Sequence, residues 1–339
     1  MKRVYIKGTG AVSPAGWNAS KLREAVMKGE PLPITASPRP GTERTFQSRC
    51  VPVEKPIPAG LQHARLRRTS AISSYAVSAA LEALGDDLAA VRNGTFRLGV
   101  VSCVLAGCIQ FTRRFYEEAL SNPATASPLI FPETVFNAPA SHLAAILSST
   151  AINYTIVGDP GAFLQGLALG AQWIAEGKVD ACIIIGAEEF DWLTAEALGR
   201  FSRDTITSEG SGAIYLSGEN TGVELTAITD SYLFTDHESR ARAIRQMSIA
   251  LKDTSPAVIL CDSLSGVKKS DAMETAAWSD WPGPRLSPKK IFGESLMAGA
   301  AWQCVLAAEQ LRHSPARAAW VSFAGTHQQA IGACFTRTN

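Results

Sequence analysis

A layered α/β fold with mostly parallel sheets is predicted by three observations on the sequence. Short apolar, β-rich runs alternate with stretches of helical periodicity from end to end. The runs carry little polar alternation, as expected of strands covered on both faces. With 339 residues, 46% of them hydrophobic, the chain can bury two cores or one large one, which excludes disorder. Strands alternating with helices are the mark of the α/β class.

The strands are expected at residues 4–6, 98–101, 154–157, 182–185 and 213–216, then at 223–228, 258–261, 320–323 and 331–335. Between them, apolar residues recur at helical spacing: Ile72, Ala76, Ala79 and Ala83; Phe163, Leu167, Ala171 and Ile174; Ile244, Ser248 and Leu251; Met297, Ala301, Cys304, Ala308 and Leu311. Two proline-bearing segments, 31–60 and 279–290, are expected to be irregular loops. The strand at 154–157 runs into Gly158-Asp159-Pro160-Gly161, where Asp159 suits a helix N-cap and Pro160 the first helical position. Gly166, Gly170 and Ala171 keep one face of that helix slim, so it is expected to pack closely in the middle of the protein. A strand, a sharp turn and a buried helix N-terminus form the place where α/β folds put chemistry.

Composition removes several classes of function. The 32 basic and 31 acidic residues leave a net charge of +1, which argues against a nucleic-acid binder driven by phosphate contacts. Seven dispersed cysteines (Cys50, Cys103, Cys108, Cys182, Cys261, Cys304, Cys334) contain no CxxC pair. They read as reduced core thiols, not as a disulfide frame or zinc site. No apolar signal core precedes the first strand, and no run reaches the roughly 18 apolar residues of a membrane span. A soluble cytoplasmic protein is expected.

Several fragments stand in a distinctive order. They are Gly8-Thr9-Gly10-Ala11-Val12-Ser13-Pro14-Ala15-Gly16; Phe131-Pro132-Glu133-Thr134-Val135-Phe136-Asn137 with Ser141-His142-Leu143-Ala144; Gly177-Lys178-Val179-Asp180 through Gly186-Ala187-Glu188-Glu189; and Ser208-Glu209-Gly210-Ser211-Gly212-Ala213. Together they resemble the β-ketoacyl synthases of the thiolase fold along nearly the whole chain. The resemblance implies a five-layer αβαβα core built from two similar βαβαβαββ halves. Residues 1–220 would form one and residues 221–339 the other, with the boundary near residues 218–222. It also implies a dimer formed through the strand at 154–157, which carries Tyr154 and Ile156.

Ketosynthase chemistry needs a cysteine at the N-terminus of a buried helix, where the dipole lowers the thiol pKa. It also needs two histidines to assist decarboxylation, and an oxyanion hole of two backbone N–H groups. The family's T-A-C-x-x-G-L-x-A falls on residues 158–166, so Pro160 stands at the cysteine position. Proline offers neither nucleophile nor backbone N–H. The first histidine motif falls on Cys261-Asp262-Ser263-Leu264-Ser265 with Ser270-Asp271-Ala272-Met273-Glu274, which puts Ser263 at the histidine. The second falls on Lys289-Lys290-Ile291-Phe292-Gly293-Glu294, which puts Glu294 there, and a carboxylate would repel a malonyl carboxylate. The C-terminal turn is shortened to Ser322-Phe323-Ala324-Gly325-Thr326-His327, and the long loop before the last glycine-rich turn is reduced to residues 190–207.

A ketosynthase-like chain without these groups resembles the chain length factors, non-catalytic halves of heterodimeric ketosynthases in type II polyketide and aryl-polyene assembly. The resemblance implies no activity of its own, no cofactor and no metal. It implies two partners: a catalytic ketosynthase subunit, and an acyl carrier protein with its bound chain. Neither nucleic acid nor membrane is implied. Leu129, Ile130 and Phe131 match the segment that reaches across the dimer into the partner's acyl tunnel, or else they pack in the dimer core.

Other residues have simpler readings. Cys103 and Cys108 follow a strand and read as core thiols; His142 reads as a partly buried structural residue. His63, His237 and His313 read as surface residues, and His327 lies near the old active-site turn with no Ser or Cys partner visible. Glu188 and Glu189 read as acceptors for buried backbone. The basic run Arg65, Arg67 and Arg68 reads as a solvated face that could meet an acidic carrier protein. The alternative from another class is a stand-alone acyl-transferring or thioester-hydrolysing enzyme with a relocated Ser or Cys nucleophile.

Overall fold

The computed structural model describes residues 3–55, 58, 61–150, 152–254, 256, 258–325 and 328–338. The first half runs β1 (Tyr5–Val12), α1 (Ala19–Lys28), β2 (Thr35–Pro38), β3 (Thr45–Arg49), α2 (Ala71–Leu84), α3 (Leu88–Arg92), β4 (Leu98–Val104) and α4 (Ile109–Ser121). It continues with α5 (Ala138–Leu147), β5 (Asn153–Val157), α6 (Ala162–Ala175), β6 (Ala181–Glu188), α7 (Trp192–Gly199), β7 (Thr207–Ser208) and β8 (Gly210–Ser217). The second half holds β9 (Val223–Ile228), β10 (Tyr232–Leu233), α8 (His237–Lys252), β11 (Ile259–Cys261), α9 (Lys268–Ala277) and β12 (Arg285–Leu286). It ends with α10 (Pro288–Phe292), α11 (Met297–His313), β13 (Ala318–Ala324) and β14 (Gln329–Arg337).

The main strands line up as β12-β11-β13-β14-β9-β1-β8-β6-β4-β5. Numbered within its own half, each set of five has the same order, 3-2-4-5-1, and the two sets meet where Tyr5 of β1 faces Glu224 of β9. Each half therefore reads βαβαβαββ, and the two share one topology. The sheets are mixed, which corrects the expectation of mostly parallel ones. β5, β4 and β6 are parallel, as are β12, β11 and β13, while the inner strands β8, β1, β9 and β14 pair antiparallel. The sequence could not separate the cases, because strands of both kinds are covered on both faces and lose the polar alternation that marks an exposed antiparallel sheet.

The alternation reappears as layers. On β4, Val101 and Cys103 join the central core while Val100 and Val104 join an outer one; Cys182 and Ile184 of β6 likewise part from Ile183 and Ile185. The central core holds α6 and α11 between the two halves. A second core lies under α2 and α5, and a third under α8 around Trp278 and Trp320. α11 is buried continuously from Met297 to Leu311, so its sequence is apolar almost all round, as a helix between two sheets requires. A β-carbon on Gly186 would stand 2.8 Å from the Met297 carbonyl, and one on Gly212 2.7 Å from Ala301 Cβ. These two glycines let β6 and β8 lie flush against α11.

Every expected strand is present, most of them longer than the sequence suggested. The segment 31–60 is not wholly irregular: β2 and β3 form an antiparallel pair that β7 extends in parallel. Likewise β12 and the start of α10 interrupt the 279–290 loop. Short strands without an apolar face carry no periodicity for a sequence to show.

Candidate functional site

The site lies where α6, β11, α10 and β13 end. α6 proper starts at Ala162 with Gly161 as its N-cap, two residues after the start that Asp159 and Pro160 suggested. Its first turn is tight, with Ala162 N–H bonding Asp159 O at 2.7 Å and Phe163 N–H bonding Pro160 O at 3.2 Å. Pro160 is buried and Asp159 does the capping: Oδ1 accepts the Gly161 N–H at 3.0 Å and Oδ2 the Gln328 N–H at 3.1 Å. A β-carbon on Gly325 would stand 2.5 Å from that carboxylate. The helix N-terminus, where an anion is stabilised, thus already holds the chain's own carboxylate, pressed against the C-terminal turn. Thr326 and His327 of that turn lie outside the described residues.

Ser263 follows β11 and is fully engaged. Its Oγ donates to Ser322 O at 3.0 Å and accepts the Ala324 N–H at 2.9 Å, so it staples the end of β11 to β13. Its own N–H bonds Glu274 Oε1, which also accepts the Ser322 hydroxyl at 2.6 Å. Burial pushes Glu274 up to about 7, helped by nearby Asp262 and opposed by those two donors. Glu294 pairs with the buried Lys289 at 2.8 Å, and its other oxygen accepts the Leu296 N–H at 2.9 Å. Its backbone is clamped to β7 through Ile206 and Ser208.

Ser263, Glu274, Lys289, Glu294 and Ala324 line one cavity of about 590 Å³. Its walls also include Leu198, Phe201, Arg49 and Arg240, but not Pro160. The structure therefore brings together two of the three expected catalytic positions around an open space and buries the third. Sequence reasoning missed Arg49 and Arg240. Neither sits in a motif, and only the β3–β7 pairing and the first turns of α8 bring them to this cavity.

Six of the thiols are disfavoured as thiolates. Burial pushes up Cys103, Cys108, Cys182, Cys261 and Cys304, and also the half-buried Cys50. None of the seven cysteines is in a disulfide. His142 is buried with Nε2 2.9 Å from Glu133 Oε2; His63 caps Arg65 N–H; His237 and His313 are exposed. Glu188 accepts the N–H groups of Leu105 and Ala106, and Glu189 those of Ile72 and Gln110 together with the Ser70 hydroxyl. Among the described residues no group of three or more His, Cys, Asp or Glu is placed to hold a metal, and no helix is long and apolar enough to cross a membrane.

At the other end of the first half, β5 is an edge strand. Tyr154 is 54% exposed and Val157 49%, while Ile156 packs on the central core. Leu129 and Phe131 are also exposed, at 75% and 56%. Ile130 is not presented with them: the turn that bonds its N–H to Ser127 O folds it inward, leaving it 6% exposed.

This architecture is the thiolase-like fold of the β-ketoacyl synthases and chain length factors. No protein-family model and no curated protein matches the chain, but solved structures do. The ishigamide ketosynthase/chain length factor superposes with a TM-score of 0.81 at 16% identity, covering 99% of this chain and 100% of that one. A ketosynthase in complex with its chain length factor from Xenorhabdus doucetiae gives 0.77 at 16% identity over 99% and 98%. A type II PKS acyl-carrier protein in complex with its ketosynthase gives 0.77 at 16% identity over 99% of each chain.

Proposed function

We propose that the chain is a non-catalytic chain length factor. It pairs with an active ketosynthase as a heterodimer and shapes the tunnel for an acyl chain delivered by an acyl carrier protein. One observation carries the reading: each position where the family keeps a catalytic group holds a residue committed to structure. Pro160 is buried beneath a carboxylate that occupies the helix N-terminus, Ser263 staples two strands, and Glu294 is tied to Lys289. A thiolate or an oxyanion placed at that N-terminus would face Asp159 instead of free N–H groups.

The exposed apolar residues Tyr154 and Val157 on the edge strand support pairing through β5, and the exposed Leu129 and Phe131 are the residues available to the partner's tunnel. Arg65, Arg67 and Arg68 are exposed, which suits an acidic carrier protein. A relocated nucleophile finds no support at Cys50, Cys103, Cys108, Cys182, Cys261 or Cys304, where burial pushes the thiol away from the thiolate. The test is co-expression with a ketosynthase carrying the Cys-His-His set, followed by mass spectrometry after incubation with acyl carrier protein. A one-to-one complex with the acyl adduct on the partner alone is expected; an adduct on this chain overturns the reading. In the same complex, Leu129→Ala with Phe131→Ala changes product length if these residues face the tunnel.

A further inference from the structure

The 590 Å³ cavity holds cationic groups that no ketosynthase-like role uses. Arg49 ends β3, is 6% exposed, and spends only its Nε, which donates to Leu32 O at 2.7 Å. Arg240 sits in the first turns of α8, its guanidinium 5.8 Å from the Phe234 ring centroid and its Nε enclosed without a hydrogen-bond partner. Both line the cavity, and among the described residues neither has a carboxylate within 4.0 Å. Three of the cavity's carboxylates are engaged elsewhere, Glu294 with Lys289, Glu274 with Ser322 and Ser263, Asp271 with Ser265 and Gly266, while the exposed Asp204 stands at its wall. Burial lowers the Arg240 pKa, and Glu274, Asp271, Asp159 and Glu294 oppose that from further off without accepting from its donors. The enclosed Arg240 Nε–H costs free energy unless something accepts from it.

We infer that this cavity is a binding site for a small molecule bearing a phosphate or carboxylate group, held by the idle N–H groups of Arg49 and Arg240. Planar guanidinium forks match both oxyanions bidentately. The volume suits a small ligand, and Leu198, Phe201 and Ile206 would cover its less polar part. Such a ligand is held without a covalent bond, so the site works whether or not the chain pairs with a ketosynthase, and it can be tested on the chain alone.

The experiment is calorimetric titration of the full chain with inorganic phosphate in one arm and malonate in the other, with chloride matching ionic strength. Saturable binding is expected in at least one arm, and the stronger arm identifies the ligand class. Arg240→Gln should weaken it by roughly tenfold or more, the loss of a charge-assisted pair, while Arg92→Gln, at an exposed residue outside the cavity wall, leaves it unchanged. Phenylglyoxal labelling of the wild-type chain needs no variant: the binding anion should protect Arg49 and Arg240 and leave the labelling of Arg92 unchanged. No saturable binding in either arm, equal binding by a folded Arg240→Gln protein, or labelling unaffected by the anion overturns the inference.

Discussion

Single residues tie the strand ends around the cavity together. Ser263 satisfies a carbonyl on β13 and the N–H of Ala324 with one hydroxyl, both in a buried setting. Ser263→Ala takes the acceptor from the Ala324 N–H and leaves Ser322 O to Gln303 Nε2, 3.1 Å away, so a loss of about 2 kcal/mol in urea unfolding is expected. Buried glutamates make a second residue-scale prediction. Burial raises Glu188 to about 8 and Glu82, Glu189 and Glu274 to about 7, from an ordinary 4.5. Between those values the native state holds protons that the unfolded chain has released, so stability falls as pH rises. The thermal midpoint should drop steadily from about pH 5 to about pH 8, and Glu274→Gln should flatten that slope.

Elements are held in place by what is missing from them as much as by what they carry. α11 lies flush against β6 and β8 only because Gly186 and Gly212 present no side chain, the nearest obstacle to Gly186 being a backbone carbonyl that cannot turn aside. Gly186→Val should therefore cost about 3 kcal/mol or prevent folding, by overpacking between a sheet and a fully buried helix. The measure is the denaturant midpoint, with Gly199→Val as the control, since nothing lies within 4 Å of a β-carbon there. The pair β2–β3 shows the opposite relation. An outlying hairpin that buries little of its own carries Arg49 into the cavity through its parallel contact with β7.

At the scale of the whole molecule, two halves with the same strand order enclose one central helical layer, and the outer strand β5 is left as an edge. An edge strand with exposed apolar side chains invites pairing with another chain. A Tyr154→Glu, Val157→Lys double substitution should shift the assembly toward monomer in sedimentation velocity without lowering the thermal midpoint of the isolated chain. An unchanged assembly state would place the interface elsewhere.

The sequence by itself determined the strand–helix alternation and the position of every long strand and of the helices at α2, α6, α8 and α11, and its motifs pointed to Pro160, Ser263 and Glu294 as the positions to inspect. Those features are local: apolar runs, 3.6-residue periods and short motifs survive in one dimension. Only the tertiary structure decided which sheet pairs run antiparallel, that Ile130 turns inward, and that Asp159 fills the helix N-terminus against Gly325. It also decided that Arg49 and Arg240, 191 positions apart in the sequence, open into one cavity. Each of these depends on contacts between distant segments, made where buried surface and idle hydrogen-bonding groups must be reconciled, and no local pattern records them.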